Sequence, residues 1–194
     1  MAGGSTDGAA AIRALNKMLR LGMDNDKMVE IAKKVGADVP FCLRSRPAFV
    51  TGIGENLEHF RVHTPFYLLL VKPYKGVSTK VAFETLDFSS AQHPDCRKMR
   101  QALMNNDYDG VIQSLGNTLE QSAFKLVPQI AAIKKDLLAM GFDGALMSGS
   151  GSTVFALTRD PELLEKGAAA MRKKAAFIRK TELRPQETVK RSFY

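Results

Sequence analysis

Cysteine and long apolar runs are both scarce in this 194-residue chain. The two cysteines, Cys42 and Cys96, stand far apart and form no Cys-x-x-Cys pair, which argues against a disulfide framework. The longest apolar run, Phe66 to Val71, is far shorter than the roughly 18 residues that indicate a membrane-spanning helix. The first residues also lack the basic and apolar regions of a signal peptide. The sequence therefore predicts a reduced, cytoplasmic protein that does not associate with a membrane.

Stacking platforms for nucleic-acid bases are missing from the most basic part of the chain. The formal net charge is +8, and Lys and Arg are densest at Arg172–Lys174 and between Arg179 and Arg191. No aromatic residues are interleaved with them as stacking platforms, and no nucleic-acid-binding motif is present. We therefore prefer a solvated basic surface over a nucleic-acid site, and the positive charge also suits small anionic ligands.

Three common catalytic signatures are absent as well. No G-x-x-x-x-G-K-[ST] loop occurs, so the chain is not a Walker A nucleotidase. Ser148 stands where the G-x-S-x-G elbow of serine hydrolases needs a glycine. His59 and His63 lie in a strand-like stretch without an H-E-x-x-H pattern, and no metal site is predicted.

The chain does contain a small polar run ahead of an alanine-rich helical segment. Two glycines precede serine, threonine and aspartate in the run Gly3–Asp7, and helical spacing continues from Ala9 to about Leu21. Ser, Thr and Asp cap helix N-termini, and glycines let a ligand approach the backbone closely. The free N–H groups and the helix dipole at such a terminus favour an anion. The run predicts either a phosphate cradle or an ordinary capped helix.

Two further loops carry residues that are typical of catalytic sites. Asp38 precedes Val39 and Pro40, and proline restricts the residue before it to extended geometry. Asp38 is therefore either a helix cap or turn former, or a general base that takes a proton from a hydroxyl during phosphoryl transfer. The run Gly149–Gly151 is either a tight connection between strands or a backbone that passes close to the rest of a site.

The periodicity predicts an α+β chain with a change of organisation near residue 62. The first part contains two helices, the second capped by Asp24 and ended by Gly36, and a hairpin of Ala48–Thr51 with Asn56–Arg61. The second part should be an antiparallel sheet with helices on one face. Its predicted strands are Phe66–Val71, Asp143–Met147, Thr153–Thr158 and Ala176–Leu183, and its helices are Val77–Leu86, Asp95–Asn105, Asp109–Leu115, Pro128–Met140 and Pro161–Lys174.

In this order, the motifs resemble those of the GHMP kinase superfamily, from residue 1 to about residue 183. The matching stretches are Gly3–Ala11, Gly36–Phe41, Gly76–Thr79 and Met147–Ala156. The resemblance implies the two-domain α+β GHMP kinase fold. An incomplete N-terminal, ATP-binding domain would occupy residues 1–62, and a ferredoxin-like C-terminal domain would occupy residues 63–194.

Within the superfamily, Gly36–Phe41 and Gly76–Thr79 favour kinases that act on a cytidine diphosphate derivative of methylerythritol. This resemblance implies transfer of the γ-phosphoryl group of ATP to the 2-hydroxyl of that small molecule, in non-mevalonate isoprenoid precursor synthesis. ATP would be the co-substrate, together with Mg²⁺. Two alternatives stay open: another GHMP small-molecule kinase, and a non-catalytic fragment that keeps the fold or nucleotide binding.

The resemblance also assigns roles to particular residues. Asp38 matches the catalytic aspartate. Phe83 matches an aromatic position that stacks on the cytosine ring, with Thr79 nearby, whereas the residues alone suggest core packing for Phe83. The end of the ATP-phosphate loop comprises Gly3, Gly4, Ser5 and Thr6. The third glycine-rich motif, which lies beside that loop in the family, comprises Gly149, Ser150 and Gly151.

The resemblance further implies a segment ahead of Met1. That segment carries the first half of the phosphate loop and a lysine that pairs with the catalytic aspartate, a role that no lysine of this chain matches. We expect a misplaced start or an interrupted gene, and a stop codon directly upstream of Met1 would contradict a misplaced start. Expressed alone, the chain should be poorly soluble or oligomeric and inactive, because missing strands leave sheet edges and apolar surface uncovered.

Overall fold

The computed structural model describes residues 2–52, 54 and 56–185. The residues form two units, one of residues 2–61 and one that begins at Val62, and each has its own apolar core. Ile53 in the predicted hairpin turn, Met1 and the basic residues after position 185 lie outside the described residues. No helix within the described ranges is long and apolar enough to cross a membrane.

Three helices and a hairpin make up the unit of residues 2–61. They are α1 (Gly3–Met18), α2 (Asn25–Val35), α3 (Val39–Arg44), β1 (Ala48–Thr51) and β2 (Asn56–His59). As predicted, Asp24 caps α2 by accepting a hydrogen bond from the Lys27 N–H at 2.8 Å, and Gly36 ends that helix. The strands pair in antiparallel register, which confirms the hairpin. The buried core residues of the helices are Ala9, Ile12, Met28, Ala32, Val39 and Leu43.

Helix α1 begins earlier than the sequence predicts. Its first residue is Gly3 rather than Ala9, and no side chain caps its N-terminus. The prediction that the run up to Asp7 caps the helix is therefore wrong. The Thr6 hydroxyl instead donates back to the Ala2 carbonyl at 2.8 Å, since a threonine inside a helix can bond to the carbonyl four residues earlier. At the other end, a positive φ at Arg20 turns the chain out of the helix before Gly22.

Val39 and Pro40 begin a helix rather than an extended connection. Both lie in the first turn of α3, and Asp38 before them has αR backbone geometry. Proline is accepted in a first turn because the N–H that it lacks would have no helical partner there. The prediction of extended geometry at Val39 is wrong for this reason.

The unit that begins at Val62 is built around a four-stranded antiparallel sheet with the strand order β4-β5-β3-β6. Its elements are β3 (Phe66–Lys72), α4 (Thr79–Glu84), α5 (Cys96–Met104), α6 (Tyr108–Gln113), α7 (Glu120–Leu126), α8 (Pro128–Ala139), β4 (Gly144–Met147), β5 (Val154–Thr158), α9 (Pro161–Met171) and β6 (Phe177–Leu183). This order of strands confirms the ferredoxin-like arrangement. The short helix α7 is the one element here that the sequence analysis did not predict.

Helices cover both faces of this sheet, so the prediction of helices on one face is wrong. The core beneath α8 and α9 contains Leu69 and Val71 of β3. On the opposite face, Phe66 of β3 packs with Tyr108 and Val111 of α6. The continuous apolar run of β3 explains this, because successive side chains of a strand point to opposite faces and a run without alternation needs cover on both.

Candidate functional site

The N-terminus of α1 leaves backbone donors without partners. The N–H groups of Gly3, Gly4 and Ser5 make no hydrogen bond within the described part of the chain, and the first turn holds no acidic residue. A Cβ added at Gly3 or Gly4 would meet no atom within 4 Å. Open backbone donors at the positive end of a 16-residue helix suit an anionic group.

Asp38 stands at the start of α3 with a free carboxylate. The side chain is exposed, makes no capping hydrogen bond, and has no hydrogen-bond or ion-pair partner among residues 2–52, 54 and 56–185. The side chain therefore does not cap the helix, but Asp38 does lie in the turn before α3, as the other part of that interpretation predicts. A carboxylate with no partner is chemically free to accept a proton from a bound hydroxyl.

Helices α1 and α3 lie next to each other, which brings Thr6 near the helix that Asp38 precedes. The Thr6 hydroxyl lies 3.7 Å from Cys42 Sγ in α3. A Cβ added at Gly8 would lie 3.7 Å from the Val39 side chain, so a small residue lets the two helices approach. The first unit thus places the proposed phosphate-binding turn and the proposed base on neighbouring helices.

The run Gly149–Gly151 forms the tight connection from β4 to β5. The Ser148 N–H donates to the Thr153 carbonyl at 2.8 Å, and the Gly151 N–H donates to the Ser148 carbonyl at 3.0 Å. Gly149 has φ +56° and Gly151 has φ +96°, where side-chain-bearing residues are strained. A Cβ at Gly151 would also lie 2.9 Å from Met147 Sδ. Both glycines are therefore required by the shape of this loop.

Thr79 and Phe83 lie one turn apart on α4, beside that loop. The Thr79 hydroxyl is 2.8 Å from the Ser150 hydroxyl, so the structure brings these two predicted site residues together. Phe83 is 51% exposed, and the suggestion that it packs in the core is wrong. Residues four apart share one face of a helix. The second unit therefore presents an exposed aromatic ring on the helix whose first residue contacts the glycine-rich loop.

The sequence analysis missed two residues that hold this loop, Asn117 and Glu120. The Asn117 side-chain amide donates to the carbonyls of Met147 and Gly149, each at 2.8 Å. Glu120 accepts a hydrogen bond from the Met147 N–H at 2.8 Å. Their Asn-x-x-Glu spacing is a helix-start signal that could have predicted α7. It would not have shown that both side chains bond to β4.

Ionisable groups near α4 do not add a second candidate base. Asp87, just after that helix, accepts hydrogen bonds at 2.6 Å from the hydroxyls of Ser89 and Ser90, and these bonds lower its pKa to about 2. Asp87 therefore stays ionised but is a poor proton acceptor at neutral pH. Across the described ranges, no group of three or more His, Cys, Asp or Glu side chains could hold a metal ion.

Two family models match this chain. The model described as "GHMP kinases N terminal domain" matches residues 1–46, and "GHMP kinases C terminal" matches residues 99–176. A crystal structure of 4-(cytidine 5'-diphospho)-2C-methyl-D-erythritol kinase superposes with a TM-score of 0.75 and 28% identity, covering 93% of this chain and 64% of the other. This chain belongs to the GHMP kinases.

Curated relatives narrow the similarity to one kind of kinase. The 4-diphosphocytidyl-2-C-methyl-D-erythritol kinase of Enterococcus faecalis is 45% identical over 157 residues, covering 81% of this chain and 56% of the relative. The kinase of the same name from Brevibacillus brevis is 43% identical over 160 residues, covering 82% of this chain and 55% of the relative. The chain thus spans little more than half the length of these relatives.

Proposed function

We propose that this chain forms part of a kinase that transfers the γ-phosphoryl group of ATP to the 2-hydroxyl of 4-diphosphocytidyl-2-C-methyl-D-erythritol. The observation that carries the proposal is the 45% identity, over 81% of this chain, to a relative that bears that kinase's name. The free carboxylate, the open helix terminus and the exposed ring on the helix that contacts a glycine-rich loop support it. Isoprenoid precursor synthesis in the cytoplasm would be the setting.

In this proposal, Asp38 is the general base. Its carboxylate takes the proton of the 2-hydroxyl while that oxygen bonds to the γ-phosphorus of ATP, and ADP leaves. Catalysis of this reaction rests mainly on positioning and on stabilising charge. A base that is exposed and unpaired within the described residues needs no ion pair broken before it acts.

The backbone donors at the start of α1 would hold the phosphates of ATP. Gly3 and Gly4 leave room for close approach, and the N–H groups up to Ser5 are open among the residues described. Thr6 follows them in α1 and is the last residue of the predicted phosphate-binding run. The described side chains do not by themselves form a metal cage. Mg²⁺ usually enters such sites bound to the nucleotide phosphates, whose charge it neutralises.

A substrate comparison tests the proposal. ADP release is measured with the cytidyl substrate, with mevalonate and with homoserine, on the 194-residue chain and on a fusion. In the fusion, the part of the Enterococcus faecalis relative that precedes its matching stretch is joined ahead of this chain. We expect the fusion to use the cytidyl substrate at least about 100-fold more efficiently than the others, with kcat on the order of 1–100 s⁻¹. The proposal is contradicted if the fusion prefers mevalonate or homoserine. It is also contradicted if the fusion binds the nucleotide but transfers no phosphoryl group.

Replacing Phe83 by alanine should weaken binding of the cytidine group. Base–aromatic stacking contributes about 1–3 kcal/mol when measured by alanine substitution, so the Kd for CDP should rise by about 5–150-fold. Calorimetry with CDP measures this directly. Phe88→Ala is the matched control, because Phe88 is also exposed, at 67%, and belongs to the same unit. Equal CDP affinity of the Phe83 and Phe88 variants would contradict stacking at Phe83.

A further inference from the structure

The strand that leads into the glycine-rich loop lies at an edge of the sheet. β4 pairs only with β5 within the described sheet, so the outward backbone groups of β4 have no strand beside them. At Met147, the last residue of β4, side chains take the place of that strand. The Met147 N–H donates to Glu120, and the Met147 carbonyl accepts from Asn117. The end of β4 is therefore held at both of its backbone polar groups.

Asn117 also reaches beyond the strand into the loop. One amide nitrogen bonds both the Met147 carbonyl and the Gly149 carbonyl at 2.8 Å, and the amide oxygen accepts the Leu119 N–H at 3.0 Å. With both ends of its amide engaged, the side chain has one orientation. Asn117 thus determines where the Gly149 carbonyl points.

The carbonyl of Gly149 and the N–H of Ser150 belong to one planar, trans peptide unit, so they point in opposite directions. Holding that carbonyl towards Asn117 turns the Ser150 N–H away from Asn117. The N–H groups of Gly149 and Ser150 have no acceptor within the described residues. Successive open N–H groups around a residue of positive φ form a concave site that favours anions.

Glu120 has a different task from Asn117. Its second oxygen pairs with Lys134 Nζ at 2.6 Å, and the two side chains are only 13% and 24% exposed. Glu120 therefore ties α7, α8 and the end of β4 together, but it makes no bond to Gly149 or Ser150. A variant of Glu120 is therefore a control: it should lower stability while leaving the peptide unit between Gly149 and Ser150 in place.

We propose that Asn117 is a positioning residue that orients the peptide between Gly149 and Ser150, so that the Ser150 N–H binds a phosphate oxygen. The proposal rests on the proposed function in taking that phosphate to belong to a substrate of the kinase. Asn117 itself does not touch the phosphate. Asn117 fixes the direction of the Ser150 N–H before the ligand binds. This removes the free-energy cost of ordering the loop on binding.

Titration of the fusion protein with inorganic tripolyphosphate, followed by the amide NMR signal of Ser150, tests this assignment. We expect the wild-type signal to shift and saturate. Asn117→Ala should raise the Kd about tenfold, as expected for a hydrogen bond to a charged group that is lost or misaligned. Thr118→Ala, which removes a neighbouring side-chain bond to the Gln92 carbonyl, should leave the Kd within about twofold.

Glu120→Gln separates positioning from stability. It should lower the unfolding midpoint without raising the Kd, because it leaves Asn117 bonded to Gly149. A Kd that rises equally in the Glu120 and Asn117 variants, an unchanged Kd in Asn117→Ala, or a wild-type Ser150 signal that does not respond would each overturn the assignment. Tripolyphosphate binding needs no phosphoryl transfer. An inactive fusion with a normal Ser150 response would therefore count against the proposed function instead.

Discussion

Asp38→Asn should lower kcat of the fusion protein by about 10²–10⁴-fold, the range that a positioned general base contributes. Asparagine has the size of aspartate but cannot take up a proton at neutral pH. Because the Asp38 side chain has no partner in the described part of the chain, its replacement should change the free energy of unfolding by less than about 0.5 kcal/mol. The KM for ATP should stay near the wild-type value. Steady-state kinetics with the cytidyl substrate and chemical denaturation measure both effects.

Glu30→Gln is the control for the loss of one negative charge from the same unit. Glu30 lies on α2, its side chain is 66% exposed, and it pairs with Lys27 at 2.9 Å. Its replacement should leave kcat within about twofold, since an exposed ion pair contributes little to the structure. If the Asp38 variant kept more than a tenth of the wild-type rate, or if Glu30→Gln lost as much, Asp38 would not be the base.

Local signals in the sequence were sufficient where a structure is made by neighbouring residues. Asp24 and Gly36 mark the ends of α2 because a cap and a helix-ending glycine act within a few residues. The hairpin of β1 and β2 and the strands of the larger sheet were predicted for the same reason. The order of the glycine-rich motifs added the superfamily, which no single motif identifies.

Contacts between distant residues account for what the sequence analysis missed. Asn117 and Glu120 bond to a strand about thirty positions later in the chain, and no local pattern identifies such a partner. The exposure of Phe83 likewise depends on which elements happen to cover α4. The second covered face of the sheet is indicated only by the unbroken apolar run of β3, because the order of elements alone does not tell how many faces the helices cover.

Leu69→Ala should destabilise the second unit by about 2–5 kcal/mol, the cost of emptying a well-packed leucine site. Leu69 lies in the middle of β3, between β5 and β6, and is fully buried. A Cβ on Gly167 of α9 would lie only 3.0 Å from the Leu69 side chain and 2.6 Å from the Phe142 ring. Since the helix already sits against the sheet at a glycine, it has no side chain there to fill the cavity.

Tyrosine fluorescence during urea denaturation reports on this unit alone. The chain has no tryptophan, and its four tyrosines all follow residue 61. Leu138→Ala on α8 is the control, because Leu138 is 42% exposed and its truncation should cost less than about 1 kcal/mol. A loss below 1 kcal/mol for Leu69→Ala, or equal losses for both variants, would contradict the packing described for β3 and α9. A shift in midpoint with an unchanged slope would show that the variant loses stability without changing the surface exposed on unfolding.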